Sequence, residues 1–308
     1  MTKHGSDAVL LRSSAAGMAL IAVLSVSACS GSDADADVSS VAGALPAKDI
    51  DRWVMPVDQY VPQHQLMLDY AENVLVSECM AAAGYTWAVP AFDIHAPASP
   101  TSNAVNRQLF GQEIAATWGY LPAPSTQQNA AAQEAAVTQP LPEGSDDQFW
   151  QCVSDVRADQ LPPASSEAMN FASSLGMAAD QAVRVDSDVL AAADRWSACM
   201  EPLGISDLPD VPSEMPSESL RSQFGRGERA AEAVPPAEST ASAREIEIAT
   251  FDAACRDSSG WSEARYEAEW ELQVTAVQQN VDVLERILDE NREVEERALA
   301  VLAERGLG

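Results

Sequence analysis

Basic residues are scarce in this chain: 18 Lys and Arg stand against 47 Asp and Glu over 308 residues, a formal net charge of −29. A protein that grips nucleic acid needs a basic face. This composition cannot assemble one, so no nucleic-acid partner is expected. Histidine is rarer still, at three, which leaves little for zinc sites or His-dependent nucleophilic catalysis. There is no C-x-x-C pair, no H-E-x-x-H and no phosphate-cradling glycine loop, so no metal and no cofactor is called for. Apolar runs of about 20 residues, the length of a finished membrane span, are absent. No alternation of β-branched residues is long enough to build a sheet. What the chain does hold is 46 % hydrophobic residues and seven tryptophans, enough for one or two modest cores.

The amino-terminal thirty residues carry the most specific pattern. Lys3 and Arg12 precede an apolar run from Ala15 to Val26, about a dozen residues, which is the length of a signal-peptide core. The run ends in Val26-Ser27-Ala28-Cys29, which resembles the lipobox of bacterial lipoproteins. That resemblance implies cleavage before Cys29 and a lipid on its thiol, so residues 1–28 read as a lipoprotein signal peptide. Cleavage removes Lys3, Arg12 and Asp7 and leaves 16 basic against 46 acidic residues, a net charge of −30. The expected location is the extracytoplasmic face of the cell membrane, with the membrane as partner through the anchor on Cys29. Residues 29–50, rich in Ser, Gly, Ala and Asp, read as a flexible tether. The alternation Asp33-Asp35-Asp37 lacks the glycine and the closing glutamate of a calcium loop.

Four further cysteines remain, and an even number in an exported chain implies two disulfides. Cys79-Met80 and Cys199-Met200 are each followed by three residues, a glycine (Gly84, Gly204) and a large apolar residue. In both, the glycine falls where a helix end needs a left-handed residue. Each motif precedes a second helical cysteine, Cys152 or Cys255, and this repetition favours Cys79–Cys152 and Cys199–Cys255 over the other pairings.

These motifs and their neighbours resemble a family of uncharacterised exported lipoproteins from actinobacteria. The stretches that carry the likeness are SECMAAAGYTW at 77–87, QLFGQEIAATWGY at 108–120, WQCVSDVRADQL at 150–161, RVDSDVLAAADRWSACMEPLG at 184–204 and EIEIATFDAACR at 245–256. The chain departs from the family at Gln151, where a glycine is usual, and at Gln112-Glu113, where the family has an Asp-containing turn. The resemblance implies an architecture and a location. It brings no activity.

Periodicity predicts a mainly α fold: a helical body with a long C-terminal helix packed on a second long helix, extended mobile loops and little β structure. Apolar residues from Phe171 through Val185 and Trp196 to Met200 recur every three or four positions, the stripe of a helix over 167–200. Trp270, Val274, Val277, Val281, Leu284 and Leu288 continue such a stripe over 262–304, which as one helix would be about 60 Å long. Helices are also expected over 61–83 and over 145–161, the latter with Ser145 as N-cap and Asp146 and Asp147 in its first turn. Tyr85–Val89 reads as one short strand. Residues 121–143 and 206–242, rich in Pro, Ser, Ala and Glu, read as mobile surface loops. The body divides into a disulfide-containing unit over 51–161 and another over 162–308.

No catalytic constellation stands out. His64 and His95 have no nucleophile elbow nearby, and with so many carboxylates no pair is distinctive. Trp87, Phe92, Phe110, Trp118 and Tyr120 cluster in sequence around the Phe-Gly and Gly-Tyr pairs and are the candidates for a pocket, although packing against the first disulfide is the commoner use of such residues. The expected role is a lipid-anchored, non-enzymatic accessory of a cell-envelope complex with a membrane-protein partner. The alternative is a cell-wall hydrolase or polysaccharide-binding protein.

Overall fold

The computed structural model describes residues 45–123, 126–226 and 240–308. Residues 1–28, the lipidation candidate Cys29 and the tether as far as residue 44 therefore lie outside the described residues. Ten α-helices are present among those described: α1 Gln65–Ala82, α2 Gln112–Trp118, α3 Gln127–Thr138, α4 Asp146–Asp159, α5 Ser166–Val183, α6 Ser187–Met200, α7 Glu218–Gln223, α8 Ala243–Ser259, α9 Trp261–Gln279 and α10 Val281–Glu304. The one β feature among them is an isolated bridge between Ser102 and Gln108. The mainly helical fold is as the periodicity predicts.

Both disulfides form as the repeated motif predicts, Cys79–Cys152 and Cys199–Cys255, each with Cα atoms 5.7 Å apart. The motif also ends α1 as expected. Gly84 is left-handed at φ +89°, its N–H bonds to the Ala81 carbonyl, and the Tyr85 N–H reaches back to Met80. These two bonds satisfy carbonyls that a helix end leaves bare. At the second motif Pro202 follows Glu201, so α6 tightens into a 3-10 turn, Glu201–Leu203, before the left-handed Gly204.

The two long stripes lie where expected, but each is carried by two helices. Asp186 breaks the first: its carboxylate accepts the Asp188 and Val189 N–H groups and caps a fresh helix, α6. Asn280 breaks the second, its amide nitrogen donating back to the Ala276 carbonyl. The apolar phase survives that break, since Val277 and Leu284 are both fully buried. The C-terminal pair does pack on the α5–α6 pair, with α9 against α5 and α6 and α10 against α5.

Of the six apolar clusters among the described residues, the three largest make most of the core. Around the first disulfide, Leu75, Met80, Trp87 and Val156 meet Ala298 and Leu302 from the far end of α10. Around the second, Trp196, Met200 and Ile248 pack with Met215 and Leu220. Between them, Val57 and Tyr60 pack on Ala168, Ala172, Val277 and Leu284. Ion pairs staple the first cluster from outside, Arg157 on Glu72 and Arg305 on Glu78, each through two bonds of 2.7–2.8 Å.

Four expectations need correction. Tyr85–Val89 is not a strand: among the described residues no second segment pairs with it, and its carbonyls at Trp87 and Ala88 accept from the Ser77 hydroxyl and the Gln139 side chain instead. The stretch 121–143 holds α3, whose Ala- and Gln-rich run favours helix and whose start is capped by Thr126 accepting from the Asn129 N–H. The stretch 206–242 holds a 3-10 turn, Pro212–Glu214, and α7; residues 227–239 of it lie outside the described residues. Ser145 does sit at the start of α4, yet its hydroxyl donates to the Pro142 carbonyl and caps nothing.

Candidate functional site

Two loops with strained backbones converge on α8 and α9. In the first, Trp53 takes φ +46°, a conformation that costs a bulky residue about 1–3 kcal/mol. The surroundings hold it there. Its N–H bonds to the Ile50 carbonyl, its own carbonyl accepts from Asn103, and its indole N–H donates to Glu269 at 3.2 Å. In the second loop, Asn103 accepts the N–H groups of Val105 and Arg107, and Asn106 is left-handed at φ +61°. This turn points Arg107 at Glu269, which it grips with two bonds of 2.9 and 2.6 Å.

Glu269 is wholly buried and also accepts from Gln273 at 3.0 Å. A second wholly buried carboxylate, Asp252, accepts from Trp196 at 2.8 Å, from Arg256 at 2.9 and 2.8 Å, and from the Tyr120 hydroxyl at 3.1 Å. Burial, reinforced by the Asp252 charge, pushes the Tyr120 hydroxyl well above its ordinary range, so it stays protonated and keeps donating. Asp180 takes Arg265 and Arg184 together. Burial raises its carboxyl, but the guanidiniums outweigh that and leave it below its usual value.

Guanidiniums held by carboxylates and a set of aromatic rings form one continuous stack. Arg226 lies 5.4 Å from the Phe224 ring, which faces Tyr120 at 6.4 Å, which stacks on Phe110 at 5.3 Å and 2°. Arg256 covers the Phe110 ring at 4.1 Å and the Trp261 ring at 5.5 Å. Arg265 follows, 5.3 Å from Trp261 and 5.4 Å from Trp53, and Arg107 closes the stack 6.0 Å from Trp53. Every cation in the ladder has its own carboxylate at its edge: Glu245, Asp252, Asp180 and Glu269 in order. Desolvated cation–π contacts contribute about 1–2 kcal/mol each, so the stack ties loops distant in sequence to the two helices.

Beside the ladder lies a cleft of about 530 Å³, with Arg107, Arg256, Arg265, Trp53 and Trp261 in its walls and Arg184 at its exposed rim. Asp58 also lines it, and burial raises its carboxyl to about 6, partly opposed by the Met55 N–H that it accepts. A second cleft of about 760 Å³ adjoins the first and is lined by Trp118, Arg52, Gln112 and Glu113. With Glu269 and Asp252 saturated by donors, their chemistry is structural. The arrangement is a walled cleft with fixed cations and aromatic rings, of a size to hold a small ligand.

The aromatic residues singled out in the sequence fall in two places. Trp87 and Phe92 pack in the first cluster, with Trp87 edge-on to Phe149 at 5.2 Å; Phe92 also sits 5.7 Å from Tyr70. Phe110 and Tyr120 come together on α2 and α8, and Phe110 and Trp118 both line the wider cleft. His64 pairs with Glu295 and the His95 N–H bonds to Asp93, away from both clefts. Trp53, Arg107, Asp252, Arg256, Trp261, Arg265 and Glu269 were not singled out from the sequence. A signal for part of the set was present: Trp261, Arg265, Glu269 and Gln273 are spaced by four, one polar–aromatic face of α9.

Among the described residues, no group of three or more His, Cys, Asp or Glu is placed to hold a metal, and no helix is long and apolar enough to cross a membrane. No protein-family model, curated protein or solved structure matches this chain.

Proposed function

We propose that this chain is an exported protein tethered by a lipid on Cys29 to the extracytoplasmic face of the membrane. It serves there as a non-enzymatic binding component of the cell envelope. The observation that carries the binding half is the ladder-walled cleft, in whose walls Arg107, Arg256 and Arg265 are each fixed on a carboxylate before any ligand arrives. Preorganisation of this kind lowers the cost of binding. The tether half rests on the basic start, the apolar run and the small residues before Cys29.

Cys29→Ala should move the protein from the membrane fraction to the soluble one and abolish labelling by a palmitate analogue; unchanged labelling overturns the anchor. A photo-crosslinking residue at Met177, an exposed residue on the cleft wall, should capture a reproducible adduct on whole cells. Turnover of a labelled wall glycan by the purified protein would overturn the non-enzymatic reading.

A further inference from the structure

The two clefts share Ile50, Asp51, Trp53, Phe110, Arg256 and Ser262 in their walls, so they form one groove with the ladder as its floor. The ladder decides which rings in that groove can serve a ligand. The faces of Phe110, Trp261 and Trp53 are taken by Tyr120 and the guanidiniums. Trp118 is different: it lines the wider cleft, and among the described residues it takes part in no ring–ring or ring–cation contact.

Charge narrows the ligand further. Arg52, Arg107 and Arg184 share the groove walls with Asp51, Glu113 and Glu263. An anion would meet these carboxylates and the field of a chain with net charge −29. A cation would meet guanidiniums. A neutral chain of hydroxyl groups meets neither penalty, because each hydroxyl both donates to a carboxylate and accepts from a guanidinium. The partly exposed Trp118 indole on the cleft wall offers an apolar surface of the kind that the C–H face of a sugar ring can cover.

On the reading of the cleft as the binding site, we infer that the groove binds a neutral oligosaccharide, one sugar ring lying on Trp118. The test titrates the full chain, purified from membranes, with chitotetraose, maltotetraose and a mannose tetrasaccharide, following tryptophan fluorescence and heat. At least one should bind with a dissociation constant of about 1 mM or below. Trp118→Ala should weaken that binding by about tenfold or more, equivalent to ~1.4 kcal/mol, and Trp118→Tyr should restore most of it. Trp150→Ala, at an exposed tryptophan outside the groove, should change nothing. Ser262→Trp, which fills the junction of the clefts and removes no ladder residue, should abolish binding while near-ultraviolet circular dichroism shows the fold intact.

Absence of saturable binding by all three sugars, or binding indifferent to both Trp118→Ala and Ser262→Trp, overturns the inference. Capture of a peptide by the crosslinker at Met177 also overturns it, but leaves the groove as a binding site. Failure of that crosslinker to capture anything removes the binding reading itself.

Discussion

Arg256 lies flat on Phe110, its guanidinium 4.1 Å from the ring centre, while the edge of the same group is bonded to Asp252. Face and edge of one side chain are thus committed at once, which only the planar guanidinium allows. The pairing carries a first prediction. Arg256→Ala strands Asp252 as a buried, partly unpaired charge and should cost about 3–5 kcal/mol. Arg256→Lys keeps the charge but loses the fork and should recover only part of the loss. Urea midpoints measure both, and equal stability of Arg256→Lys and the parent would refute the geometric account.

Asp58 should make stability depend on pH. Its carboxyl rises from 3.8 to about 6 on folding because of burial, so the folded state holds a proton that the unfolded state releases. The associated stability is fully present below about pH 4 and is lost as pH climbs through 6, a difference of about 2–3 kcal/mol. Asp58→Asn should raise the melting temperature at pH 7 and flatten the slope between pH 4 and 6. An identical slope in the two proteins would show that Asp58 is not the titrating group.

Gly119 should tolerate no side chain. It sits at φ +61°, and a Cβ there would stand 2.8 Å from the Glu245 Cγ. Glu245 has no room to yield, since it is buried and holds both the Tyr120 N–H and Arg226. Gly119→Ala should therefore cost about 2 kcal/mol or more and loosen the Tyr120 end of the ladder, visible as a changed tyrosine signal in near-ultraviolet circular dichroism. A loss of a few tenths would show that the turn adapts.

Each disulfide closes a long loop, with sequence separations of 73 and 56 residues, so removing either by paired Cys→Ala changes should cost about 4 kcal/mol if chain entropy dominates. Peptide mapping without reduction should return only Cys79–Cys152 and Cys199–Cys255. Any Cys79–Cys199 peptide from native protein would contradict the fold.

The disulfide pairing was legible because one short frame occurs twice, and the helix-ending glycines because a left-handed turn suits that residue best. The apolar faces of α5, α6, α9 and α10 were legible too. Their breaks were not, because a capping Asp186 or a back-bonding Asn280 leaves the apolar stripe almost undisturbed. Helix α3 was hidden by its composition, which resembles that of a linker. The groove was the least legible part. Trp53 and Arg107 meet Glu269 across 216 and 162 residues of chain, and no local pattern announces a meeting of that range. Only the α9 face at 261, 265, 269 and 273 carried a local trace of it.

The last turns of α10 complete the first cluster: Ala298 and Leu302 lie among the residues of α1 and α4, and Arg305 clasps Glu78. A polypeptide made from its amino end has finished α1 and α4 long before those turns exist. Until they arrive, the side of α1 that they cover stays open to solvent and to other nascent chains, and the Cys79–Cys152 bond stabilises only an unfinished core. A chain stopped just short of Ala298 would carry every cysteine and still leave that side of the first cluster uncovered.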